Sequence, residues 1–125
     1  MTWVATSNAV FNGISTITPN FAITFGNFKA SAAVTLAGDI TVAGLTVTIN
    51  TGGSVGGVGM KFIMSNAAAS TIGGTAALAT FPILEVANNA NVTMNIPVTV
   101  TTLNIATGAS TTDFTLGVGV GTFTA

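Results

Sequence analysis

The chain has 125 residues, of which 49% are hydrophobic and only 4% charged, with a formal net charge of -1. That length and apolar content suit one domain, 1–125, with a substantial core, whereas ordinary soluble domains carry about 25% charged residues. With two lysines, no His and no Cys, the composition excludes a basic nucleic-acid face, disulfides, and imidazole or thiolate metal ligation, and it removes the commonest general base.

The surface must then be built from Thr, Ser, Asn, Ala and Gly, and a surface so poor in charge favours association with other copies. Thr, Asn, Gly or Pro interrupts every apolar run before it reaches the length of a membrane-spanning helix, so no membrane span is expected. Met1-Thr-Trp-Val4 also lacks the basic start of a signal peptide.

Taken from the N-terminus, short alternating strands return about every nineteen residues, with coils starting near Val4, Ile23, Val42, Phe62, Phe81, Val100 and Val118. The first side of each coil is read as Phe21-Ala-Ile23, Ile40-Thr-Val42, Met60-Lys-Phe62, Ala79-Thr-Phe81, Val98-Thr-Val100 and Leu116-Gly-Val118. The outer members are apolar, so a period of two turns them toward a core and sends Thr41, Thr80 and Thr99 outward.

The second side is read as Ser7-Asn-Ala9, Gly26-Asn-Phe28, Leu45-Thr-Val47, Ser65-Asn-Ala67, Leu84-Glu-Val86, Leu103-Asn-Ile105 and Gly121-Thr-Phe123. Its middle column holds Asn8, Asn27, Asn66 and Asn104, together with Thr46 and Glu85. Stacked carboxamides on successive parallel strands can hydrogen-bond along the stack, so these four Asn residues are expected to form a polar ladder.

The third side is read as Ser15-Thr-Ile17, Val34-Thr-Leu36, Gly53-Ser-Val55, Gly73-Gly-Thr75, Val92-Thr-Met94 and Thr112-Asp-Phe114. A near-duplication links Val34-Thr-Leu36 and Ile40-Thr-Val42 to Val92-Thr-Met94 and Val98-Thr-Val100. Pro19, Pro82 and Pro97 fall at corners, where a ladder donor can be spared.

Three short strands per coil predict an all-β fold, a triangular parallel β-solenoid of six to seven coils around one apolar column. The alternative is an antiparallel sandwich or jelly roll built of hairpins, for which Asn12-Gly13 is the turn signal. At these columns the chain resembles the β-helical repeats of bacterial surface adhesins and phage fibre proteins, with Val-Thr-Thr-Leu-Asn-Ile-Ala-Thr-Gly-Ala-Ser110 as the motif that carries the likeness. The resemblance implies a fibre or coat component on a cell surface or a virion. It carries over no functional residue.

Chemistry is sparse. The charged residues are Lys29, Lys61, Asp39, Glu85 and Asp113, and the nineteen-residue frame makes no two carboxylates neighbours, as glycoside cleavage requires. It also sets both lysines apart on different coils and sides, as solubilising, edge-guarding residues. The segment from Gly52 to Gly59 lacks the Lys-Ser/Thr ending of a phosphate loop and reads as a tight corner. Asn91-Val-Thr93 matches the short glycosylation triplet, read as a chance match, and the Thr columns could order water on a flat face. No catalytic, cofactor or metal residues are expected, nor a small-molecule substrate.

The expected working residues lie at the ends: Trp3 and Val4 at one, Val118, Val120 and Phe123 at the other. Stacked repeats need caps, and no polar capping segment is evident at either end. The expectation is a non-enzymatic, extracellular or virion-associated subunit whose partners are copies of itself, stacked head to tail. An adhesive or ice-binding surface on a monomeric solenoid is the alternative.

Overall fold

A computed structural model describes residues 7–87, 90–105, 113–116 and 123–124, the last two segments by their strand pairing. The first turn holds β1 (Ala9–Phe11), β2 (Ser15–Ile17) and β3 (Ile23–Phe25). The second holds β4 (Phe28–Ala30), β5 (Ala33–Leu36) and β6 (Ile40–Val42), and the third β7 (Thr46–Ile49), β8 (Ser54–Gly56) and β9 (Lys61–Met64). Then follow β10 (Ala69–Gly73), β11 (Ala79–Val86), β12 (Asn91–Met94), β13 (Val98–Ile105), β14 (Asp113–Leu116) and β15 (Phe123–Thr124).

Every pairing between them is parallel, which removes the hairpin alternative. Sheet I runs β1-β4-β7-β10-β12-β14, sheet II runs β2-β5-β8, and sheet III runs β3-β6-β9-β11-β13-β15. The chain is a parallel β-solenoid, as the repeat predicts, but of about five turns rather than six to seven, because one turn is longer than nineteen residues.

Alternation explains what faces in. On sheet I Ala9, Phe28, Val47, Ile72 and Met94 form one buried column, stacked one upon the next. Phe62, Leu84, Ile40 and Val42 bury from sheet III, and Val34, Leu36 and Val55 from sheet II. Each such side chain contributes about 1.5–3 kcal/mol by leaving water. Aromatic rings run up the middle: Phe11 to Phe28 at 5.4 Å, Phe28 to Phe62 at 5.0 Å and Phe62 to Phe81 at 4.9 Å between centroids.

The register departs from a strict nineteen. Ala9, Phe28 and Val47 stack at that interval, but Val47 meets Ile72, a turn of 25 residues. The excess of six is about one side of a coil, so every later segment moves on by one side. Leu84-Glu-Val86, expected on the second side, pairs in sheet III with Phe62-Ile-Met64. Val92-Thr-Met94, expected on the third side, lies in sheet I. Thus the near-duplication in sequence does not return to the same face.

Ile72 displaces the expected Ala67 because an isoleucine fills the column that an alanine would leave void; Ile72 is fully buried and Ala67 exposed. Smaller slips follow the same preference. Ile23-Thr-Phe25, not Phe21-Ala-Ile23, pairs with Ile40-Thr-Val42, since it buries Phe25 to 4% and leaves Phe21 at 50%. Phe62-Ile-Met64 replaces Met60-Lys-Phe62, and Ser54-Val-Gly56 replaces Gly53-Ser-Val55. Gly73-Gly-Thr75 forms no third-side strand; Gly73 instead ends β10. Asn91 rather than Thr93 meets Asp113, and Phe123 meets Val98.

From the fourth turn a single strand covers two sides. The second half of β11 pairs with β9, while its first half packs alongside β8. Two consecutive buried residues, Phe81 and Pro82, break the alternation there, which marks the corner. Pro82 suits it, having no N–H to leave unpaired. At the corner after β10, Gly74 holds φ at 129°, and a Cβ there would run into the Ile49 carbonyl, so only glycine fits.

Candidate functional site

The outward column of sheet I is the longest ordered array of polar groups among the described residues. Backbone register makes it Asn8, Asn27, Thr46, Thr71 and Thr93, with Thr115 next in strand pairing. Asn8 and Asn27 form the expected carboxamide contact: Asn27 Nδ2 donates to Asn8 Oδ1 at 3.1 Å, and the Asn27 backbone N–H donates to the same oxygen at 3.2 Å. The Thr46 N–H then donates to Asn27 Oδ1 at 2.9 Å. Gly44 leaves the room, because a Cβ there would strike the Asn27 carboxamide.

Asn66 and Asn104 lie elsewhere. Asn66 Nδ2 donates to the Ala43 carbonyl at 2.7 Å, and its Oδ1 accepts from the Ala68 N–H at 2.8 Å, closing a corner. Asn104 stacks in register on Glu85 in sheet III. Their places in the ladder fall to Thr71 and Thr93, a consequence of the 25-residue turn. The repeat columns do not show a second polar stack: Asn50 Nδ2 donates to Ser31 Oγ at 3.3 Å, and Thr75 Oγ1 donates to Asn50 Oδ1 at 3.5 Å. The nineteen-residue interval between Ser31 and Asn50 was a usable signal; that to Thr75 was not.

Charges also gather more than the frame implied. Lys61 Nζ sits 2.9 Å from Glu85 Oε2, and the Lys61 backbone N–H donates to Asp39 Oδ1 at 2.8 Å. Three successive turns are thereby clipped together on the outside. The hydrogen bond and charge of Glu85 raise the Lys61 pKa. Both carboxylates serve one lysine, and among the described residues no group of three His, Cys, Asp or Glu side chains could hold a metal. Asn91 lies in β12 with its Oδ1 buried, a poor posture for a glycan acceptor.

Among the described residues all three strands of the first turn, β1, β2 and β3, are end strands of their sheets, each with a strand on one side only. Asn8, Ala9, Phe11, Ile17, Ile23 and Phe25 line a recess of about 430 Å³ at that end of the core. Val10, 54% exposed, also lines it, and Ile14 (88%) and Phe21 (50%) are exposed in the same turn. Of the expected end residues, Trp3, Val4, Val118 and Val120 lie outside the described residues, and Phe123 is placed by its pairing with Val98.

Among the described residues no helix is long and apolar enough to cross a membrane. Compared with known proteins, the chain matches no family model, no curated protein and no solved structure.

Proposed function

We propose that the chain is a non-enzymatic structural subunit that stacks end to end with copies of itself into a fibre, lattice or coat, outside a cell or on a virion. The first-turn edge carries this reading. An edge that is unpaired among the described residues, above an apolar recess lined by Ala9, Val10, Phe11, Ile17, Ile23 and Phe25, is stabilised by adding another turn of the same kind. A contact between unlike ends does not close on itself and so grows a filament. With 4% charged residues, little repulsion opposes it.

Sedimentation velocity over a wide concentration range tests the reading. Species that grow with concentration, visible as filaments by negative stain, are expected. A single monomer-sized boundary throughout would overturn it.

The in-register run Thr46, Thr71 and Thr93 favours a second reading, a threonine-lined face with Lys29 at its side that binds a regular surface such as ice. Their rungs repeat at about 4.8 Å. Replacing Thr71 and Thr93 by Lys separates the two readings: surface adsorption would be lost while end-to-end growth persists.

A further inference from the structure

The polar column has a direction. Asn27 sends both its backbone N–H and its Nδ2 back to the Oδ1 of Asn8, and Thr46 sends its N–H back to the Oδ1 of Asn27. In these two rungs the oxygen serves the later turn and the donors reach toward the earlier one. Asn8 fulfils only the first half of this rule. Its Oδ1 is used twice, and its own Nδ2 has no partner among the described residues.

The inward column beside it has the same polarity. It reads Ala9, Phe28, Val47, Ile72 and Met94, with Leu116 next in backbone register, so its smallest member stands over the recess at the end that is unpaired among the described residues. Among the described residues the other outer strand of sheet I is β14, parallel to β1, with Thr115 and Leu116 in backbone register at the far ends of the Asn8 and Ala9 columns.

We infer that Asn8 sets the register of a parallel contact in which the β14 edge of a second copy adds to β1, its donors receiving a side-chain oxygen from that copy. The inference rests on the self-stacking reading and names its contact. Placing Thr115 opposite Asn8 and Leu116 opposite Ala9 continues both columns without a shift. A slip of one residue would send the apolar column outward, and a slip of two would leave the Asn8 donors facing the wrong rung.

The test uses the whole chain and two substitutions of identical chemistry. Asn8→Asp keeps the oxygen that serves Asn27 and turns the outward donor into an acceptor. Asn27→Asp makes the same change one rung inward, where it removes a bond within the chain. Assembly is followed by sedimentation and folding by thermal melting. Asn8→Asp is expected to raise the concentration needed for assembly roughly tenfold with an unchanged melting temperature. Asn27→Asp is expected to lower the melting temperature and leave that concentration unchanged for folded protein. Assembly of Asn8→Asp at the wild-type concentration, or an equal rise for both variants, would overturn the inference while leaving self-stacking intact. A wild-type chain that stays monomeric would overturn self-stacking, and this contact with it.

Discussion

The ring of Phe28 in sheet I meets the ring of Phe62 in sheet III edge-on, with centroids 5.0 Å apart and planes at 89°. One pair of rings thus spans the interior between two sheets, which makes the core a narrow column. Edge-to-face contacts of this kind add about 0.5–1.5 kcal/mol beyond the area they bury. Phe62 also touches Phe81, so it joins the second turn to the fourth.

Phe62→Ala is accordingly expected to destabilise the chain by about 3–5 kcal/mol in chemical denaturation. Phe62→Leu should cost much less. A loss below about 1 kcal/mol for the alanine variant would mean that the column is not packed as described.

Removing the carboxamide of Asn27 takes an acceptor from the Thr46 N–H and a donor from Asn8. Asn27→Ala should cost about 1 kcal/mol, the ordinary net worth of such bonds near the surface. Asn104→Ala, outside the ladder, should cost less. Equal losses at both positions would argue against a continuous ladder confined to sheet I.

How much of this could be read in advance is clearest at the same residues. Asn8, Asn27 and Thr46 were legible because two consecutive turns keep a nineteen-residue interval. Slips of two residues were invisible, since they leave every side chain on its own face: Met60-Lys-Phe62 and Phe62-Ile-Met64 share one alternation. The 25-residue turn was hidden in the glycine-rich third coil, where weak strand patterning gave the column no anchor before Ile72. That one turn moved Glu85 out of the Asn column and brought it to Lys61.

Glycine substitutions should separate corners from open surface. Gly74→Ala forces a side chain onto φ of 129° and against the Ile49 carbonyl, so a loss of about 1–3 kcal/mol is expected. Gly13 has open space where a Cβ would stand, and Gly13→Ala should be neutral or slightly stabilising. Thermal melting of the two variants measures the contrast, which a loose corner at Gly74 would abolish.

The Lys61 ion pair gives a pH dependence of known sign. Its folded pKa lies above the ordinary 10.5, so the contribution is complete below that value and fades as pH rises through the folded pKa. Lys61→Met should remove this alkaline limb from the melting profile. Identical profiles for both proteins above pH 10.5 would show that the pair does not hold in solution.

X-ray diffraction from aligned assemblies of the purified chain tests end-to-end stacking of solenoid turns most directly. Strands perpendicular to the filament axis should give a strong meridional reflection at about 4.8 Å. Filaments whose reflection at that spacing lies on the equator, or material that remains monomeric under every condition used for alignment, would contradict it.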